Sequence, residues 1–116
     1  MKETIPVSRP MPLKQQPNVL PLEGEIDLHI SPEVAESLRA MAAKKPKRIV
    51  VDLTKVTYLD SSGLAVLIEG MQSVQEYGGN FAVAGVQESV QHILDIARLD
   101  QFFQIFPDVD SALAAK

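Results

Sequence analysis

The sequence contains no cysteine among its 116 residues. This absence excludes disulfide bridges, thiolate catalysis and cysteine-ligated metal sites.

Basic charge is also scarce, because 11 lysines and arginines stand against 15 acidic residues and the net charge is −4. A nucleic-acid-binding domain needs a basic stripe to neutralise phosphates, so we expect no nucleic-acid partner. The dense basic cluster at 44–48 lies at a predicted helix-to-strand junction, where a solvated turn explains it.

Long apolar runs are missing as well, and none approaches the roughly 20 residues that a membrane-spanning helix needs. Four of the eight prolines lie in residues 1–17 and interrupt the segment after the early lysine, so a signal-peptide core is not seen. We therefore expect a soluble, cytoplasmic protein without a membrane partner.

The two glycine-rich phosphate-binding motifs, Gly-x-x-x-x-Gly-Lys-Ser/Thr and Gly-x-Gly-x-x-Gly, are absent too. Tight nucleotide binding is thus disfavoured, and no cofactor is expected.

The sequence contains enough apolar residues for a packed core. Hydrophobic residues make up 46% of the chain and charged residues 22%, which fits one folded domain. Because proline fixes φ and removes a hydrogen-bond donor, residues 1–17 are predicted to be an extended segment, at most an edge strand. The folded domain is predicted over 18–116.

Strand and helix patterns alternate along this domain. Ser31 is predicted to be the N-cap of the first helix, with Pro32 at the first helical position. Pro21 indicates that the first strand lacks a ladder partner on one side. The alternation predicts an α/β layer fold with at least part of the sheet parallel. The predicted strands lie near 19–24, 48–53, 81–84 and 103–106, and the predicted helices near 31–45, 62–77, 90–97 and 109–115.

The most informative segment is Asp60-Ser61-Ser62-Gly63, between a buried strand and an amphipathic helix that begins at Ser62 or Gly63. In open α/β sheets this junction is exposed, and the start of the helix presents unpaired backbone N–H groups. Asp60 or Ser62 could cap these donors and leave the hydroxyl of Ser61 free at the surface. A purely capping role is the alternative, since Asp, Ser and Gly are common at helix starts.

A second acidic turn, Gly24-Glu25-Ile26-Asp27, also follows a strand. If both turns lie at the same end of the sheet, Ser61 is placed among acidic groups. Ordinary turn and cap chemistry is the alternative role for Glu25 and Asp27.

A hydrolase with Ser61 as its nucleophile is a third possibility, and the sequence disfavours it. The nucleophile elbow of hydrolases is Gly-x-Ser-x-Gly, whereas Leu59 stands two residues before Ser61. The two candidate bases are His29 and His92, and both are better explained as surface or flanking residues. We therefore do not expect an enzyme.

These motifs together resemble those of the anti-sigma-factor antagonists of the STAS domain class. The resemblance rests on Gly24-Glu25-Ile26-Asp27, on Val51-Asp52-Leu53 and on the run from Tyr58 to Leu67. Gly78-Gly79-Asn80 and the segment 93–99 are similar too, so the resemblance spans roughly residues 18 to 114. It implies an α/β fold with a STAS-like mixed β-sheet of about four to five strands and about four helices packed mainly on one side.

The resemblance also implies a function. In its unphosphorylated form such a protein binds an anti-sigma factor that is also a serine kinase, and the sigma factor is released. The kinase phosphorylates the serine after the motif aspartate, which is Ser61 here, and a serine phosphatase reverses the modification. Ala65 stands where many relatives carry a second glycine, and its small side chain still permits close approach. The implied partner-binding residues are Glu25, Asp27, Asp60, Ser61, Ser62, Gly63 and Ala65.

A different use of the same domain remains open at this point. Some STAS domains are docking subunits of lipid-transport complexes or of larger signalling assemblies, which do not require a switchable serine. The pairing of the acidic turn with Ser61 favours the antagonist. A monomer is the default for the free protein.

Overall fold

The computed structural model describes residues 18–115, and the predicted extended segment 1–17 lies outside them. Strands and helices alternate along the described chain, with a single turn of 3-10 helix at Leu99–Gln101 before the last strand. The elements are β1 Val19–Ile26, α1 Ser31–Ala43, β2 Arg48–Leu59, α2 Ser61–Glu76, β3 Asn80–Ala84, α3 Glu88–Ile96, β4 Gln104–Phe106 and α4 Val109–Ala114.

The four strands form one sheet in the order β1-β2-β3-β4. The predicted α/β fold is confirmed, with a four-stranded sheet and four helices in the described residues. All three pairings are parallel in this part of the chain, so the expected mixture of strand directions is not found within 18–115. Strand β1 is at the edge of this sheet, which agrees with the edge position that Pro21 predicted.

The core lies between the sheet and the three longer helices. Alternate residues of β2 point to opposite faces, as the pleat of a strand requires. Ile49, Val51 and Leu53 belong to the main core with residues of α1, α2 and α3. Val50 faces the other side, where it packs in a smaller cluster with Ala112 of α4. Helices therefore cover mainly one face of the sheet, as expected.

Strands β1 and β2 are longer than the sequence predicted. β1 continues past Gly24 to Ile26, and β2 continues past Leu53 to Leu59. Polar, exposed residues in the second half of β2 obscure its pattern, although Val56 and Leu59 are buried there. The extension carries both strands to a common end, with Ile26 opposite Leu59.

Ser31 is not the N-cap of α1, and that prediction is wrong. It is the first helical residue, 4% exposed, and Ile30 occupies the cap position without a side-chain cap hydrogen bond. The backbone oxygen of Asp27 already accepts from the Ser31 N–H at 2.8 Å, because a turn runs directly into the helix. Pro32 consequently occupies the second helical position, where its missing N–H still costs nothing.

Arg48, the first residue of β2, forms hydrogen bonds with the C-terminal end of α4. Its Nη1 donates to the backbone oxygens of Ala112, Leu113 and Ala115 at 2.8, 3.2 and 2.7 Å. The last carbonyls of a helix have no hydrogen-bond donor within that helix, so Arg48 supplies one. Its positive charge is also favourable at the negative end of the helix dipole. One side chain thus fixes α4 against the second face of the sheet.

We predict that Arg48→Met destabilises the protein by about 1–3 kcal/mol, because buried carbonyls lose a charged donor. Urea unfolding measures this change in the free energy of unfolding. Arg39→Met is the matched control, since Arg39 makes an exposed ion pair with Glu69 at 3.9 Å. Its cost should stay within about 0.5 kcal/mol. Equal effects of the two substitutions would contradict the role given to Arg48.

Candidate functional site

The segment after β1 and the start of α2 lie side by side at the carboxyl ends of β1 and β2. Gly24, Glu25 and Ile26, which were predicted to lie in a turn, belong to β1, so the turn runs from Asp27 into α1. The Asp60 N–H donates to the backbone oxygen of Ile26 at 3.3 Å, which joins the end of one strand to the start of α2. Gly63 packs against the same oxygen, and a Cβ atom there would stand only 2.8 Å from it. Glycine is therefore required at 63 for the two turns to touch.

Asp60 is the N-cap of α2. Its Oδ1 accepts from the backbone N–H groups of Ser62 and Gly63 at 2.8 and 3.0 Å, and from the Ser62 hydroxyl at 2.5 Å. The pKa of Asp60 is lowered from its ordinary value, most strongly by the hydrogen bond from the Ser62 hydroxyl and next by the one from the Gly63 N–H. Burial has a smaller effect and acts in the opposite direction. Of the two caps that the sequence offered, Asp60 takes the role, and the hydroxyl of Ser62 donates to it.

Ser61 is the first residue of α2, one position before the predicted start of the helix. It is exposed, and within residues 18–115 no hydrogen bond engages its hydroxyl. Ser62, its neighbour, is half-buried and already bonded to Asp60. Among the described residues, the helix start therefore presents one hydroxyl without a hydrogen bond, that of Ser61, and one that is bonded to Asp60.

Asp27 organises the second turn. Its backbone oxygen accepts from the N–H groups of Ile30 and Ser31 at 3.1 and 2.8 Å. Its Oδ1 accepts from the N–H groups of His29 and Ile30 at 3.0 and 3.3 Å. Asp27 thus has the turn-forming role that the sequence allowed, while the side chain of Glu25 is exposed at the end of β1.

An apolar residue that sequence reasoning missed lies in the turn after β1. Leu28 is 72% exposed, and its backbone N–H is one of the groups that lower the pKa of Asp60. Ile30 is also exposed, at 37%. Two apolar residues directly after an acidic turn, before the periodic pattern of α1, were the available signal. Ala65, one turn into α2, is exposed as well.

In the part of the chain that the structure describes, groups that would serve hydrolysis or metal binding are not assembled around Ser61. His29 and His92 are both exposed, and neither side chain hydrogen-bonds Ser61 in the described part of the chain. Across 18–115 there is no group of three or more acidic or histidine side chains that could hold a metal ion. None of the helices in those residues is long and apolar enough to cross a membrane.

A parallel α/β sheet whose first two strands end in a pair of contacting acidic turns defines the class of domain. The family model described as the STAS domain matches residues 10–112, which is most of the chain. The chain therefore belongs to the STAS domain family.

Relatives and solved structures agree with this assignment. The anti-sigma F factor antagonist of Paenibacillus polymyxa is 32% identical over 98 residues, covering 84% of this chain and 81% of the relative. A crystal structure of an anti-sigma factor antagonist from Mycobacterium paratuberculosis superposes with a TM-score of 0.75 at 29% identity, over 82% of this chain and 80% of that one. The STAS domain of a SulP transporter from Vibrio cholerae has a TM-score of 0.70 at 23% identity, covering 83% and 77%, and shares the fold.

We predict that Gly63→Ala destabilises the protein by about 1–3 kcal/mol, because the new methyl group meets a backbone oxygen that cannot move freely. Gly70→Ala, in the same helix, is the matched control. Its methyl group would meet the flexible end of Leu38 at 2.9 Å, and improved helix propensity offsets part of that cost. Chemical denaturation should rank Gly63→Ala as the more costly change, and the reverse order would refute the close contact.

The lowered pKa of Asp60 predicts a pH dependence of stability. Its contribution is present above the ordinary value of 3.8 and is lost as the pH falls through the lower pKa of the folded state. Stability should therefore fall less steeply in this acidic window for Asp60→Asn than for wild type. Ser62→Ala, which deletes the largest cause of the shift, should change the slope in the same direction but less. Thermal unfolding between about pH 2 and 5 measures these slopes. Identical slopes for wild type and Asp60→Asn would show that the charge of the Asp60 carboxylate does not stabilise the start of α2.

Proposed function

We propose that this chain is an anti-sigma factor antagonist, a cytoplasmic binding module rather than an enzyme. Its unphosphorylated form binds an anti-sigma factor that is also a serine kinase, and this binding frees the sigma factor. Phosphorylation of Ser61 ends the binding, and a serine phosphatase restores it. Membership of the STAS family and the anti-sigma factor antagonists among its relatives support the general function. The phosphorylation switch is supported by the geometry of the helix start.

The observation that carries the switch is the contrast between two adjacent serines. Ser61 is exposed and its hydroxyl is unbonded in the described structure, so a kinase can reach it without breaking a contact. The hydroxyl of Ser62 is bonded to the cap carboxylate at 2.5 Å, and its modification would disrupt the start of α2. A single site of modification at Ser61 is the consequence.

A phosphate at this position alters binding more than folding. It adds about −1.5 to −2 charges, and the N-terminal end of a helix dipole offsets part of this by roughly 0.3–1 kcal/mol. Asp60 and Asp27 lie in the adjoining turns and oppose the added charge. These contributions nearly cancel in the isolated domain. A partner surface shaped for a neutral hydroxyl would instead meet a dianion, and like-charge juxtaposition costs several kcal/mol.

The remaining residues of the proposed docking site have distinct tasks. Glu25 and Ala65 are exposed and available for direct contact. Gly63 is buried and acts through the packing of the two turns, and Ser62 acts through its bond to Asp60. The likeness to a transporter STAS domain concerns the fold alone, so it does not favour a transport role.

We predict that the cognate anti-sigma factor, purified and supplied with ATP, places one phosphate on Ser61. Peptide mass spectrometry locates it. Ser61→Ala should take up no phosphate and still bind the anti-sigma factor, whereas Ser61→Asp should weaken binding. Ser62→Ala is the matched control and should still be phosphorylated at Ser61, since its hydroxyl is not the acceptor. Phosphate on Ser62, or none on Ser61, would refute the proposed switch.

A further inference from the structure

We infer that Leu28 is an apolar anchor of this docking site and inserts into an apolar pocket, bordered by basic residues, on the anti-sigma factor. The inference rests on the proposed function and adds a binding determinant that the phosphorylation switch does not require. It concerns the turn between β1 and α1, next to the start of α2.

Exposure alone would not support this role, because single apolar residues are common on protein surfaces. Ile96, at the end of α3, is 70% exposed and is comparable to Leu28 at 72%. What distinguishes Leu28 is its position. Leu28 follows Ile26 by two residues, and the backbone oxygen of Ile26 accepts from the Asp60 N–H at 3.3 Å, so the turn that carries Leu28 adjoins the residue preceding Ser61. The apolar side chain and the Ser61 hydroxyl, which makes no hydrogen bond within residues 18–115, therefore belong to adjoining segments.

The turn also holds Leu28 in a fixed backbone conformation. Four hydrogen bonds converge on Asp27, two to its backbone oxygen and two to Oδ1, from the residues that follow Leu28. A side chain presented by such a turn loses little backbone entropy on binding, and pre-organisation of this kind favours affinity. A flexible loop carrying the same leucine would lack this advantage.

The surroundings of Leu28 match the usual anatomy of an interface, in which an apolar centre is enclosed by polar groups. Ile30, 37% exposed, extends the apolar area on the same turn. Carboxylates are present in the same region, from Asp27 within the turn, from Asp60 at the adjoining helix start and from the exposed Glu25 near the end of β1. A complementary partner surface has an apolar pocket with basic residues at its margin. This specifies the chemistry of the face that the anti-sigma factor presents.

The test compares three variants of the full chain against the purified anti-sigma factor that phosphorylates Ser61. Leu28→Ser removes the apolar side chain, Leu28→Met keeps its volume, and Ile96→Ser is the matched control at equal exposure. Surface plasmon resonance should show Leu28→Ser binding roughly 10- to 100-fold more weakly, mostly through faster dissociation. Leu28→Met and Ile96→Ser should bind within about threefold of wild type. Thermal unfolding should be unchanged in all three, because both positions are exposed.

The outcomes separate this inference from the proposed function. If wild type binds, Ser61→Asp is weakened and Leu28→Ser binds as wild type does, the anchor is refuted while the switch stands. If Ile96→Ser weakens binding as much as Leu28→Ser, the effect belongs to any exposed apolar residue and the anchor is also refuted. If wild type itself does not bind, both the proposed function and the anchor fail.

Discussion

The site depends on one backbone contact, between the oxygen of Ile26 and the start of α2. The Asp60 N–H donates to that oxygen, and Gly63 approaches it so closely that no side chain fits between them. This contact joins the ends of two parallel strands to the first turn of a helix. Without it, the two acidic turns would be neighbours in the sheet but would not form one surface.

From this contact follows a division of roles among adjacent residues. Asp60 satisfies the helix start, and the Ser62 hydroxyl is used to hold Asp60. Ser61 is left with an exposed hydroxyl that makes no hydrogen bond among the described residues, at the positive end of a helix and beside carboxylates that oppose further negative charge. The proposed switch needs this arrangement, because a charge can then be added at the Ser61 hydroxyl while the hydrogen bonds that cap α2 stay in place.

The fold was largely predictable from sequence because its core strands are continuous apolar runs and its helices have a clear period. The cap prediction for Ser31 failed because a backbone hydrogen bond took precedence over a side-chain preference. Ser31 looked like a cap, yet the Asp27 oxygen already satisfied its N–H. Asp60 and Ser62 both looked like caps of α2, and the sequence could not show that the Ser62 hydroxyl donates to Asp60. Leu28 was missed because a single exposed apolar residue in a turn has no periodic signal, and only the structure places it beside Asp60.

The central claim is that charge at Ser61, in an otherwise unchanged fold, decides whether the partner binds. The most direct measurement is the affinity of one protein preparation for its anti-sigma factor before phosphorylation, after it, and after phosphatase treatment. The account predicts a loss of about a hundredfold on phosphorylation, corresponding to about 2.8 kcal/mol, with full recovery after dephosphorylation. Equal affinity in the modified and unmodified states, with the phosphate located on Ser61, would contradict it.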